Sequence, residues 1–273
     1  MARVWMPLPD QDFDPTESAV PWQALSRAGH EVVFATESGG AAPRADPRVL
    51  QGVLFGKMGA PPAGKAAYAE MEQTSAFKSP VAWSSLDVTT FDGLVLPGGH
   101  APGMRPYLES ETLRAQVRAF WKLERPVGAI CHGVLVLART RDFATGKSVI
   151  ATRRTTCLTK AMELVAYYTT FWRLGRYYRT YDQTVQDEVK EALVNPEAQF
   201  EKGPFFLADP GTLRLSLDDE RADPRAFVVQ DGRYLSARWP GDAVSFARSF
   251  LALVEGRTAV AAAPSVPLAQ VAS

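Results

Sequence analysis

The residues best suited to chemistry lie in Gly128-Ala129-Ile130-Cys131-His132-Gly133, where a short apolar run ends at a cysteine and a helix-like stretch starts at once. A strand–nucleophile–helix elbow has this form, with Cys in the place of Ser. Such a turn holds a side chain above the carboxyl edge of a sheet, and small neighbours let the backbone pass closely. The helix N-terminus is expected to lower the thiol pKa and to offer N–H groups to a developing oxyanion. The competing reading is a buried, inert cysteine at a strand end. A second candidate is Leu96-Pro97-Gly98-Gly99-His100, where two glycines after a strand can turn N–H groups toward the same edge. The third is Glu17 in Asp14-Pro15-Thr16-Glu17. Asp at the N-cap and Glu three residues on also form a capping-box pattern, so Glu17 is either a cap or a carboxyl able to share a proton with Cys131.

Alternating strands and helices would bring these three segments together. Residues 2–6 read as a first buried strand. Asp14 caps a helix with Pro15 in its first turn and Gly29 at its end, and Pro21 is expected to shorten or kink it. Strands follow at 30–36, 92–97 and 126–130. Ser110 caps a helix whose apolar residues Leu113, Val117, Phe120 and Trp121 share one face. Another helix starts after Thr156 and leads into Tyr167, Tyr168, Phe171, Trp172, Tyr177, Tyr178 and Tyr181, an aromatic cluster read as core and interface packing, with the wall of an apolar substrate pocket as the alternative. Asp231-Gly232 joins strands 226–230 and 234–237 as a hairpin, and 242–255 is a last amphipathic helix. The fold expected is α/β: a doubly wound, mostly parallel sheet sandwiched by helices. Residues 1–256 form a single domain with insertions at about 38–80 and 157–205, and 257–273 are a disordered tail.

Composition excludes several classes of function. Thirty basic and thirty acidic residues give a formal net charge of +0, which argues against nucleic acid and against a polybasic membrane anchor. No apolar run approaches the roughly 18 residues of a spanning helix, and the N-terminus lacks a signal-peptide pattern. A cytoplasmic protein is expected. Two cysteines make no disulfide framework, and His30, His100 and His132 without a Cys pair make no structural zinc site, so no metal is expected. Cys157 reads as structural, and His30 as an edge residue.

Together, D-P-T-E at 14–17, L-P-G-G-H at 96–100, A-I-C-H-G at 129–133 and D-G-x-x-x-S-A-R-W-P-G-D-A at 231–243 resemble the ThiJ/PfpI superfamily, with its class I glutamine-amidotransferase-like, flavodoxin-like fold. The resemblance covers about residues 2–255 and looks closest to the branch of glyoxalase III and the heat-shock chaperone/deglycase proteins. It implies Cys131 as nucleophile, Glu17 as proton carrier beside the sulfur, and His132 as general acid or base. It also implies an oxyanion hole from the N–H groups of Gly99 and His132. Gly98 and His100 are then read as substrate-facing, His100 alternatively as a surface turn residue. Asp182, Asp187 and Glu188 are candidates for an acid orienting His132. Ala101-Pro102-Gly103 departs from the glycine that often follows G-G-H in glyoxalase-like relatives. The implied protein is a homodimer acting on a small-molecule substrate. Its implied activity is cofactor-independent conversion of reactive carbonyl compounds, methylglyoxal to lactate. An amidase or peptidase-like hydrolase and a chaperone or oxidative-stress sensor are the alternatives.

Overall fold

The computed structural model describes residues 1–205, 208–219 and 225–257, so the expected tail beyond Arg257 lies outside the described residues. The strands are β1 (Arg3–Pro7), β2 (Gln11–Phe13), β3 (Glu31–Thr36), β4 (Arg44–Ala45), β5 (Val81–Ala82), β6 (Gly93–Leu96), β7 (Val127–Ile130), β8 (Val228–Asp231) and β9 (Tyr234–Ala237). Among the described residues, seven of them form one sheet in the order β5-β3-β1-β6-β7-β9-β8. Neighbours are parallel throughout, except the β8–β9 hairpin. Strands β2 and β4 pair separately. The mostly parallel, helix-flanked sheet is the architecture the sequence predicts.

Burial explains the strand sequences. β6 and β7 read Gly-Leu-Val-Leu and Val-Gly-Ala-Ile, with every residue buried, as befits a parallel sheet covered on both faces. From β1 the chain first steps outward to β3 and β5, then returns to β6 and proceeds the other way to β7 and β9. Right-handed crossovers in opposite directions place their helices on opposite faces. Helix Pro15–Arg27 therefore packs with the late helix Ala243–Val254, while Glu111–Trp121 packs with Gly133–Arg139. The reversal between β1 and β6 is the switch point of the sheet, where its carboxyl edge opens a crevice.

Local signals act as expected at most ends. Asp14 Oδ1 accepts from the N–H groups of Thr16 (2.7 Å) and Glu17 (3.1 Å), and Ser110 Oγ accepts from Leu113 (3.1 Å). Pro21 does not shorten its helix, which runs unbroken from Pro15 to Arg27. Its missing N–H leaves the Glu17 carbonyl without a helical donor. The burial of Val20, Trp22, Ala24 and Leu25 on the same helix outweighs that loss. The 38–80 insertion carries helix Pro62–Met71, which packs on Pro15–Arg27, and is followed directly by edge strand β5.

A buried ion pair fastens the late hairpin to its helix. Arg238 and Asp242 are both fully buried, and the guanidinium grips the carboxylate through Nε (2.8 Å) and a terminal nitrogen (2.9 Å). The same carboxylate accepts from the backbone of Phe227 and Arg238, and Arg238 also donates to the carbonyls of Pro204 and Arg225. Asp242→Asn leaves this guanidinium uncompensated inside the protein. A loss of about 3–5 kcal/mol is expected, measured as a lower urea midpoint at unchanged slope; an unchanged midpoint would rule the clamp out as a stabilising element.

Candidate active site

Three loops leave the carboxyl edge side by side, after β1, β6 and β7, and each brings one of the segments singled out by sequence. Cys131 follows β7 directly and is held at φ 57°, in the left-handed region that a non-glycine residue occupies at a cost of roughly 1–2 kcal/mol. Its N–H donates to the Ala237 carbonyl of β9 (3.0 Å), which pins the elbow to the neighbouring strand. Gly133 is required by the close approach of the β6 end, because a Cβ there would lie 2.1 Å from the Leu96 carbonyl oxygen. Cys131 is 5% exposed, whereas Cys157 is fully buried away from the site.

Glu17 is no capping residue. Its Oε2 accepts from the N–H of Gly98 (3.0 Å), across to the β6 loop. Its Oε1 is buried with no hydrogen-bond partner, and the carboxyl interacts with the Cys131 thiol. Gly98 is thereby given a different task from the substrate contact expected of it. Its N–H is committed to Glu17, its carbonyl accepts from Asp14 N–H (2.9 Å), and any Cβ would stand 2.7 Å from the Glu17 carboxylate. The loop holds the carboxyl in place. Gly99 lines the cavity above Cys131, and the His132 N–H hydrogen-bonds the Cys131 sulfur.

His132 is fully buried, with Nδ1 3.5 Å from the Cys131 sulfur and Nε2 3.1 Å from Thr180 Oγ1. The Thr180 hydroxyl also donates to the His100 carbonyl at 2.6 Å. A hydroxyl has a single proton, so toward His132 it can only accept. Nε2 then carries the imidazole hydrogen, and Nδ1 presents its lone pair to the thiol. None of the three acids proposed from sequence orients this ring. Asp182 pairs with Arg176 at the surface, Asp187 with Lys160, and Glu188 with Arg139. Thr180 takes that place; nothing in sequence links it to His132, since it lies in an aromatic stretch without helical or strand periodicity.

Electrostatics depart from the expectation of a lowered thiol pKa. Burial pushes the Cys131 thiol well up, and the charges of Glu17 and Asp14 push it further. Burial likewise pushes Glu17 well up, reinforced by Asp14, which is itself raised to about 6 by desolvation. A helix dipole contributes only about 0.3–1 kcal/mol, and the helix that starts here has seven residues. Desolvation of a buried charge costs several kcal/mol, so burial decides the sign. The resting pair keeps its protons, and the sulfur must be ionised as it reacts. Burial lowers His132 to about 3 and His100 to about 4, so both imidazoles are neutral at pH 7.

His100 lines the cavity rather than the surface. Its ring stacks on Tyr178 (4.3 Å, 15°) and meets Tyr177 edge-on (4.7 Å), while Tyr177 donates to Asp46 (2.5 Å). The aromatic segment therefore divides: Tyr178 lines the cavity and Tyr177 packs against His100, while Tyr168, Phe171 and Trp172 are exposed. Among the described residues no group of three or more His, Cys, Asp or Glu side chains could hold a metal ion, and no helix is long and apolar enough to cross a membrane.

A family model described as ThiJ/PfpI family-like matches residues 8–204. The chain belongs to this family. An uncharacterised protein of Schizosaccharomyces pombe, C14C4.04, is 35% identical over 133 residues, 48% of this chain and 48% of that protein. Deglycase PfpI of Pyrococcus furiosus is 28% identical over 144 residues, 52% of this chain and 69% of its own length. The chain thus spans about half to two thirds of these relatives. Among solved structures, glyoxalase III of Candida albicans superposes with a TM-score of 0.61 at 19% identity, covering 92% of this chain and 97% of that one, which shows the shared ThiJ/PfpI fold.

Proposed function

We propose that the protein is a cofactor-independent cysteine enzyme that converts small 2-oxoaldehydes to 2-hydroxy acids, the activity that the resemblance to the glyoxalase III branch implies. The observation that supports it most is the placement of the Cys131 thiol between a protonated carboxyl and a neutral imidazole lone pair at the floor of a cavity. As the sulfur attacks the aldehyde carbon, its proton passes to His132 Nδ1, and the new oxyanion is received by the N–H groups of Gly99 and His132. Protonation of that oxygen gives a hemithioacetal. Removal of the aldehyde hydrogen and protonation of the adjacent ketone oxygen give an enediol, with Glu17 and His132 exchanging the protons. Protonation at the former ketone carbon, with the hydroxyl proton on the sulfur-bearing carbon passing back to Glu17 or His132, leaves a thioester. Water cleaves its C–S bond, releasing the acid and restoring the thiol. One carbon is oxidised and its neighbour reduced, so no external oxidant is required.

A substrate panel of methylglyoxal, glyoxal, glutamine and short amides tests the reading. Turnover of the dicarbonyls alone supports it, and turnover of amides alone would favour the hydrolase instead. The exposed Tyr168, Phe171 and Trp172, the last 61% exposed, also favour a homodimer that covers them. Light scattering should give about twice the 29.8 kDa chain mass; a monomer at all concentrations would contradict this.

A further inference from the structure

The cavity above Cys131 is too large and too apolar for a three-carbon substrate. It encloses about 450 Å³, within the range of pockets that take whole drug-sized ligands. One wall is the helix Lys160–Leu174, which turns Met162, Val165, Ala166 and Thr169 toward it, spaced i, i+3, i+4 and i+7. The helix inverts the usual pattern: the residues it buries are Glu163 and Thr170, while its apolar side chains are only half-buried or exposed. Even Thr169 offers this wall little polarity, because its hydroxyl bonds back to the Val165 carbonyl (2.7 Å). Leu54 and Met58 also line the cavity.

The acids along these walls are already engaged. Glu163 accepts from Val185 N–H (3.0 Å) and faces Arg179 (3.6 Å), and Asp209 accepts from Met58 N–H (2.8 Å) and Gly211 N–H (3.0 Å). The lining cation, Lys57, is solvent-exposed. Among the described lining residues, Asp14, Glu17 and His100 stand at the Cys131 end.

We propose that the substrate is a 2-oxoaldehyde with an apolar tail of several carbons, its dicarbonyl head at Cys131 and its tail among Met162, Val165, Ala166, Leu54 and Met58. The proposal rests on the carbonyl-converting reading for its head group, whereas the tail site stands on the walls alone. Two measurements separate these parts. On wild type, kcat/KM for straight-chain 2-oxoaldehydes should rise about fourfold for each methylene added to methylglyoxal, the increment for burying one such group, until the cavity is full. On Cys131→Ala, calorimetric binding of unreactive straight-chain methyl ketones should strengthen with length in the same way. In Ala166→Trp, which fills the space, the preference for long over short chains should collapse. Should that variant fail to fold, the two length series decide alone. Methylglyoxal turnover with no length dependence in either series would overturn the tail site and leave the enzyme reading intact. Length-dependent ketone binding without turnover of any dicarbonyl would uphold the tail site and sink the reaction.

Discussion

Cys131→Ala is expected to remove turnover of 2-oxoaldehydes by roughly 10³-fold or more, as loss of a covalent nucleophile does, while the protein stays folded. The two halves of this expectation come from different observations. The thiol is the group at the elbow that opens onto the cavity, with His132 Nδ1 at 3.5 Å to take its proton. The backbone that presents it is strained whichever L side chain it carries, because φ is 57°. Alanine therefore keeps the strain and loses only a small side chain. Glycine relieves it, so Cys131→Gly should be equally inactive yet about 1 kcal/mol more stable than Cys131→Ala, the lower end of the left-handed penalty. Urea melts of the two variants measure that difference. Equal stabilities would show that the elbow stores no strain, and surviving turnover in either variant would remove Cys131 from the reaction.

Glu17→Gln should lower kcat by roughly 10²–10⁴-fold, the range for a lost general acid or base, with a smaller change in KM. Glutamine keeps the shape and can still accept from Gly98 N–H, but has no proton to lend to the sulfur or the enediol. The pH dependence of stability carries an independent signature. The folded pKa of Glu17 lies well above its ordinary 4.5, chiefly because it is buried. A raised carboxyl stabilises the fold fully below about pH 4.5 and loses that contribution as pH rises through the folded value. Glutamine escapes this loss. The Tm of Glu17→Gln relative to wild type should therefore climb between pH 4 and pH 9. A difference flat with pH would mean that Glu17 ionises as freely in the folded protein as in the unfolded chain, and the proton-sharing role would fall with it.

The elbow was legible because its chemistry is local. A buried Val-Gly-Ala-Ile strand, a cysteine and a helix start are consecutive residues, and only a sharp turn joins them. Glu17 was legible only as a choice between two roles, because Asp14-x-x-Glu17 satisfies a helix cap equally well; the decision came from Gly98, brought beside it by the β1–β6 pairing. Thr180 was invisible for the complementary reason. Its contact with His132 depends on how residues 175–184 fold over the carboxyl edge, and no periodicity marks that path. The thiol pKa was read with the wrong sign, since a helix start is visible in sequence whereas the depth at which the thiol is buried is not. β5 escaped notice too, because Val81–Ala82 is too short to show alternation. The inward face of Lys160–Leu174 was hidden by its composition: apolar residues at helical spacing suit a core and a cavity wall equally well, and here Met162, Val165 and Ala166 line the cavity while Tyr168, Phe171 and Trp172 are exposed.

Peptide-resolved alkylation with iodoacetamide at pH 7.5 tests the role of Cys131 most directly, since both cysteines report in one sample. Cys131 opens onto the cavity beside an imidazole lone pair. Cys157 is fully buried, its thiol pushed well up by burial and then by Glu163. Cys131 should be labelled at least about tenfold faster, following exposure and base assistance, with dicarbonyl turnover disappearing in step with its modification. Equal labelling of the two cysteines, or turnover that persists once Cys131 is fully alkylated, would contradict a nucleophile at this position.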